Sequence, residues 1–172
     1  MDFEIYLFIF DLILILFCIG GFYGVIWVPT KRRDYDRIAG LVDLRPGVVF
    51  CDLGSGAGGL LFYLSKKYKI KCIGIEISPI LYLYSKIKSL FYHNVEIRYG
   101  NLFKYDLSNV DVIYIFLHPE MYSRLKEKFN CEAKEGTIII ASCWPLGDTA
   151  PLKVSQKDNE VTYYVYKKTK NG

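Results

Sequence analysis

Residues 48–65 read VVFCDLGSGAGGLLFYLS, and the rest of the 172-residue chain is organised around them. An apolar run, residues 48–51, leads to Asp52. A glycine-dense turn follows: Gly54, Ser55, Gly56, Ala57, Gly58, Gly59. Beyond it Leu60, Leu61, Tyr63 and Leu64 stand at helical spacing. A short buried strand, a tight turn and a helix start, in that order, make the first half of a βαβ unit. Glycine is needed where the chain takes positive φ or where backbone approaches a ligand closely. The turn ends on a helix N-terminus, whose free N–H groups and dipole favour negative charge. A ligand carboxylate or phosphate belongs there.

Two ligand classes use such a turn. Gly54, Gly56 and Gly59 satisfy GxGxxG, the dinucleotide fingerprint, a weak match alone. Asp52, Gly54, Gly56 and Gly58 satisfy DxGxGxG. A dinucleotide fold usually keeps an apolar residue two before the first glycine. Here that place holds a carboxylate, suited to facing a cationic amino group. Residues 71–76, KCIGIE, read as the second strand and end in Glu76. An acid there hydrogen-bonds ribose hydroxyls in both classes, so it points to an adenosine ligand without choosing between them.

The length fits one domain plus an appendage. The net charge of +4 is uneven. Residues 1–28 hold no Lys or Arg and three acids, Asp2, Glu4 and Asp11, so the remainder carries 22 basic and 15 acidic residues. That balance suits an anionic partner or membrane surface. Apart from Lys31-Arg32-Arg33 and the cluster at 66–71, the basics are scattered and read equally well as solvated lysines. The five cysteines, Cys18, Cys51, Cys72, Cys131 and Cys143, are odd in number and form no CxxC. They read as small core residues in a reducing compartment. His93 and His118 are too few and isolated for a metal site, so none is expected.

Residues 5–28 are almost wholly apolar, and 12–28 carry no charge. About 20 such residues span a bilayer as a helix. Gly20 and Gly24 are spaced as GxxxG, and Tyr23 and Trp27 fall where an aromatic belt would lie. The basic triplet after the segment predicts a single-pass membrane protein with its C-terminal domain cytoplasmic. A buried or interfacial helix is the alternative. The predicted organisation is therefore an anchor at 1–28 and a globular domain at 29–172.

Pro29-Thr30 breaks the apolar pattern, and Thr30 is expected to cap a helix over 31–42 with Tyr35, Ile38, Leu41 and Val42 on its apolar face. Ser78-Pro79 opens a helix carrying Ile80, Leu81, Leu83, Tyr84 and Ile87. A third strand at 95–99 precedes Asn101, placed to read an adenine edge or simply to form a turn. A fourth strand, 111–117, ends at His118-Pro119-Glu120, before a helix over 121–129. His118 lies near the crevice where ligands bind in open α/β sheets. It is a candidate base, with a plain loop residue as the alternative. Residues 136–144 are a fifth strand. Residues 152–156 and 161–168 alternate like two strands joined by a turn at 157–160.

This series resembles the class I (seven-β-strand) S-adenosylmethionine-dependent methyltransferases, across about residues 29–168. The resemblance implies an α/β, Rossmann-like sheet with a terminal antiparallel hairpin. More narrowly, WVPTKRRDYDRI, DLGSGAGG, IGIEISPILYLYSK and FLHPEMYSRLKEKF are similar to small protein-lysine methyltransferases. That group includes enzymes modifying the c-ring protein of ATP synthase and the adenine nucleotide carrier. The resemblance implies S-adenosyl-L-methionine as cofactor, held by Thr30, Asp52, Gly54, Ser55, Gly56, Gly58, Glu76, Ile77, Asn101, Leu102 and Leu117. It also implies a protein substrate modified on lysine, a membrane protein among the candidates, while the apolar segment makes the lipid bilayer a further expected partner. The sulfonium activates its own methyl group, so the protein must mainly align a nucleophile and exclude water. The sequence has no NPPY-type tetrapeptide after strand four, against the usual adenine and glutamine amino-methyltransferases, and no nucleic-acid partner is expected. A lipid or quinone methyltransferase, a non-catalytic cofactor-binding membrane module and a NAD-type oxidoreductase are the competing readings.

Overall fold

Five apolar runs form the parallel part of one sheet: β1 (Val49–Leu53), β2 (Lys71–Glu76), β3 (Val95–Tyr99), β4 (Val112–Ile115) and β5 (Ile138–Ser142). β6 (Lys153–Ser155) and β7 (Tyr163–Lys167) complete it. The order is β3-β2-β1-β4-β5-β7-β6. β7 pairs antiparallel with both β5 and β6, so it alone runs against the rest. This computed structural model describes residues 3–8, 10, 11 and 28–170. The central strands β1, β2, β4 and β5 are buried on both faces because helices cover both, as parallel sheets require.

Alternate residues feed two cores. Cys51, Leu53, Ile113 and Ile115 pack with Leu125 and Phe129 of α4 (Tyr122–Glu132). Phe50, Tyr114 and Ile140 pack on the other face with Ile38 of α1 (Tyr35–Ala39) and Leu61 and Leu64 of α2 (Gly59–Tyr68). Each fully buried aliphatic side chain contributes about 1.5–3 kcal/mol. Between β2 and β3, α3 (Pro79–Ser89) begins with proline in its first turn. Cys51 and Cys72 are buried free thiols, as a core role predicts, but Cys143 is only half-buried and Cys131 is exposed on α4, so neither is a core residue.

Two glycines set how closely these parts approach. Gly54 has φ +90°, and a Cβ there would lie 2.8 Å from Leu117 Cδ2. At Gly74 in β2 a Cβ would meet Ser55 Oγ at 2.6 Å and Leu61 Cδ1 at 2.7 Å. The bare backbone of β2 therefore lets the turn and α2 sit directly on the sheet.

The N-terminal part of the domain differs from expectation. In place of a helix over 31–42 there is a 3-10 turn (Arg32–Asp34) and then the five-residue α1. Thr30 caps nothing. Its hydroxyl lies 3.0 Å from that of Tyr114, a long-range bond that replaces the local one. Arg37 holds α1 to the far edge of the sheet: it donates to Ser155 Oγ at 2.9 Å and to Glu160 Oε2 at 3.0 Å, and stands over the Tyr163 ring. The connection between β6 and β7 is longer than the predicted 157–160 turn, because the strands stop at Ser155 and restart at Tyr163. Most of the expected membrane segment, including Gly20, Tyr23, Gly24 and Trp27, lies outside the described residues. Among the described residues no helix is long and apolar enough to cross a membrane.

Candidate active site

The order of strands reverses at β1, whose neighbours β2 and β4 lead away in opposite directions. In such sheets the crevice beyond the carboxyl ends of the strands takes the ligand. Here a cavity of about 300 Å³ opens there. Gly54, Glu76, Ile77, Asn101, Leu102 and Leu117, six of the residues read from the sequence, line it.

Glu76 organises the site. Its Oε2 accepts from Gly56 N at 2.7 Å, and its Oε1 accepts from Ser78 N at 2.7 Å. Burial pushes its pKa up, and these backbone donors oppose that shift. Each carboxylate oxygen has a second lone pair, so capacity for a ribose hydroxyl remains. Asn101 Oδ1 accepts from Phe103 N at 2.9 Å and caps a 3-10 turn (Leu102–Lys104). It is a turn asparagine, and it also lines the cavity.

Asp52 lies outside the cavity lining, buried at the end of β1 beside Tyr114 of β4. Burial first, then the charge of Glu76, pushes its carboxyl up to about 8. Such a group holds a proton near neutrality until a cation arrives beside it. Around it stand two tyrosines, one read from the sequence as part of an apolar helix face and the other only as a residue of the fourth strand. Tyr35 reaches the α2 N-terminus, where its hydroxyl occupies the space a Gly59 side chain would need. Burial and the Asp52 charge raise its pKa. Tyr114 accepts from Ser142 Oγ at 2.9 Å and pairs with Thr30. Thr30 is thus fixed over the sheet, near the Asp52 end of the turn. Ser55, expected on the ligand, is buried toward Gly74, and its Oγ has no hydrogen-bond partner. Gly56 and Gly58 shape the turn from outside the lining.

The opposite wall was not anticipated. Phe103, Met121 and Arg124 line it, with the Arg124 guanidinium 4.0 Å from the Phe103 ring centroid. Buried Lys128 donates to Phe103 O at 3.1 Å and fixes that turn from behind. A basic residue one turn into the helix after β4 was the available signal. His118 stands at the rim: its neighbours Leu117 and Glu120 line the cavity, and its Nδ1 lies 3.7 Å from Glu120 Oε2.

Residues 52–153, more than half of the chain, match the ANTKMT methyltransferase domain. The chain belongs to this methyltransferase family. It has the class I fold and is an S-adenosylmethionine-dependent methyltransferase. A protein-lysine N-methyltransferase of Saccharolobus islandicus is 27% identical over 153 residues, covering 81% of this chain and 91% of that enzyme. The adenine nucleotide translocase lysine N-methyltransferase of Mus musculus is 24% identical, covering 74% of this chain but 57% of that enzyme. Among solved structures, an RNA methyltransferase from Salinibacter ruber in complex with S-adenosyl-L-homocysteine has a TM-score of 0.78 at 27% identity, covering 81% of this chain and 93% of that one. The methyltransferase site fits such a cofactor: a buried ribose-type carboxylate, a cavity of suitable size and a second buried acid.

Proposed function

We propose that the chain is a protein-lysine N-methyltransferase tethered to a membrane by residues 1–28, with residues 29–172 as the catalytic domain. The observation that carries the lysine reading is the rim of the cavity. There the half-exposed His118 and the exposed carboxylate of Glu120 stand together at the end of β4. A carboxylate attracts an ammonium group, and an imidazole is suited to take its proton. The lysine-modifying relatives support the same reading.

In this reading Glu76 takes the ribose hydroxyls, the Asn101–Leu102 turn takes the adenine, and Asp52 faces the amino group of the methionine part. Thr30, held by Tyr114, closes that end. S-adenosylmethionine, when bound, supplies a methyl group activated by its sulfonium. Glu120 orients the incoming lysine, and His118 accepts the proton that leaves its Nζ. The freed lone pair would attack that methyl group, so that the N–C bond forms as the methyl–sulfur bond breaks and S-adenosylhomocysteine leaves with the electron pair on sulfur. Leu117, Met121 and the Phe103–Arg124 stack keep water from the reacting end. The apolar segment at 5–28 supports an acceptor at or in a membrane, with the domain on the cytoplasmic side.

An RNA acceptor is the second reading, favoured by the Salinibacter ruber neighbour. The test is to incubate the full-length chain with methyl-labelled S-adenosylmethionine and a total cell extract, then count protein, RNA and lipid separately. Label in protein is expected. Label confined to RNA or lipid overturns the lysine reading.

A further inference from the structure

α3 is packed inside out. Its buried residues are Ser85 and Ser89, whose hydroxyls turn back onto the helix's own carbonyls at Leu81, Tyr82 and Lys86. The small serines let the helix lie close against the sheet. Tyr82 packs inward, but Leu83, Tyr84 and Ile87 point away from the sheet. Leu83 is 58% exposed, Tyr84 55% and Ile87 54%; Leu90 and Phe91, just past the helix, reach 73% and 80%. At spacings of four, three and one, Leu83, Ile87, Leu90 and Phe91 share one side. A patch of this kind on a soluble surface marks an interaction site.

The patch has a basic flank. Between α2 and α3 runs an open groove of about 650 Å³, lined by Arg32, Lys66, Lys67 and Lys88 together with aromatic rings. Lys88 lies 4.8 Å from the Phe62 ring centroid and 5.9 Å from that of Tyr84, so it joins groove to patch. Asp36 pairs with Lys67 and offsets that charge. The other three basic residues form no ion pair within the described part. Arg32 lies four positions after Val28, where the apolar segment ends. Val28 therefore stands within four residues of a residue that lines this groove.

We propose that the α3 face and its basic groove dock on an anionic bilayer surface. The apolar side chains enter the headgroup region, and the lysines and Arg32 meet the headgroup charge. The occupant is chosen by chemistry. A nucleic-acid backbone would use the cations but leave Leu83, Ile87 and Leu90 against water. A bilayer uses both halves, and the apolar segment already leads there. α3 starts directly after Glu76 and Ile77, so docking would hold the cofactor cavity close to the membrane. The inference rests on the membrane reading above, but it concerns a second contact made by the folded domain.

The full-length chain is tested with vesicles of phosphatidylcholine alone and of phosphatidylcholine with phosphatidylserine. Flotation and amide hydrogen exchange are read on the same samples. Exchange over residues 79–94 should slow with phosphatidylserine and not with phosphatidylcholine alone. Lys66→Glu with Lys88→Glu, and separately Leu90→Ser with Phe91→Ser, should abolish the slowing without moving the melting temperature. Each basic group near an anionic surface contributes roughly a factor of five, so the charge reversal should weaken docking more than about tenfold. Equal exchange with both vesicles overturns the proposal. So does slowing that needs only higher protein concentration, which would make the face a contact between copies, or slowing produced by added RNA. A chain that floats on phosphatidylcholine yet stays unprotected on both kinds of vesicle keeps the anchor and loses the docking face. A chain that does not float on phosphatidylcholine but is protected by phosphatidylserine keeps the docking face and loses the anchor.

Discussion

Glu76, at the end of β2, accepts the amide proton of Gly56 across the glycine turn at 2.7 Å. The carboxylate read as a ribose ligand is therefore also the strut that fixes the turn. One side chain both fixes the turn and brings a buried carboxylate to the cavity. Glu76→Gln keeps the size and removes the charge. Hydrogen bonds to a charged group contribute about 1.5–3 kcal/mol. S-adenosylmethionine binding should weaken roughly ten- to a hundredfold by calorimetry; unchanged affinity would remove Glu76 from the cofactor site.

Asp52 predicts a pH dependence. Its folded carboxyl titrates near 8, against 3.8 for the ordinary group. The folded state thus binds the proton more tightly, and stability falls as pH rises between about 4 and about 8. Asp52→Asn should flatten that fall, raising the melting temperature of the cofactor-free chain at pH 8 by several degrees, since ~1 kcal/mol is about 2–4 °C at this size. The same variant should bind S-adenosylmethionine more weakly. A wild-type slope in the variant would contradict the assignment.

Tyr114→Phe removes one hydroxyl and leaves both Thr30 and Ser142 Oγ without it. A stability loss of about 1–3 kcal/mol is expected from denaturant melts. If Thr30 closes the cofactor end, the KM for S-adenosylmethionine should rise while kcat changes little. A variant that is only less stable would leave Thr30 a structural residue.

Gly74→Ala tests the packing of turn on sheet. The added methyl meets Ser55 Oγ at 2.6 Å, Leu61 Cδ1 at 2.7 Å and Ile97 Cδ1 at 2.9 Å. All three are buried, so relief requires the turn or α2 to move. Overpacking of this kind costs about 1–3 kcal/mol. Thermal melting measures it.

His118→Ala should lower kcat about a hundredfold or more, the usual contribution of a positioned general base, with cofactor affinity unchanged. Steady-state kinetics with a lysine-containing acceptor decides this. Retained kcat would return His118 to an ordinary loop residue and leave Glu120 or water as the proton's route.

Much of this was legible in the sequence because the determinants are local. Apolar runs bounded by turn residues marked all seven strands, and the glycine turn with Glu76 marked the cavity at the carboxyl ends of the strands. What escaped depends on distant partners. Thr30 looks like a helix cap, but Tyr114 in β4 offers its hydroxyl a buried partner and wins. Tyr35 reads as one residue of an apolar face, yet its phenol reaches the α2 N-terminus. The apolar residues of α3 carry no sign of which way they face. That is decided by two serines small enough to lie against β3. Arg124 and Phe103 meet only because α4 folds back over the turn after β3.

The decisive measurement is hydrolysis and amino-acid analysis of the protein labelled by the full-length chain with methyl-labelled S-adenosylmethionine. The expected result is acid-stable label eluting as methyl-lysine, lost with Glu76→Gln and His118→Ala. Label on another residue, or label that persists in both variants, would contradict lysine transfer at this site.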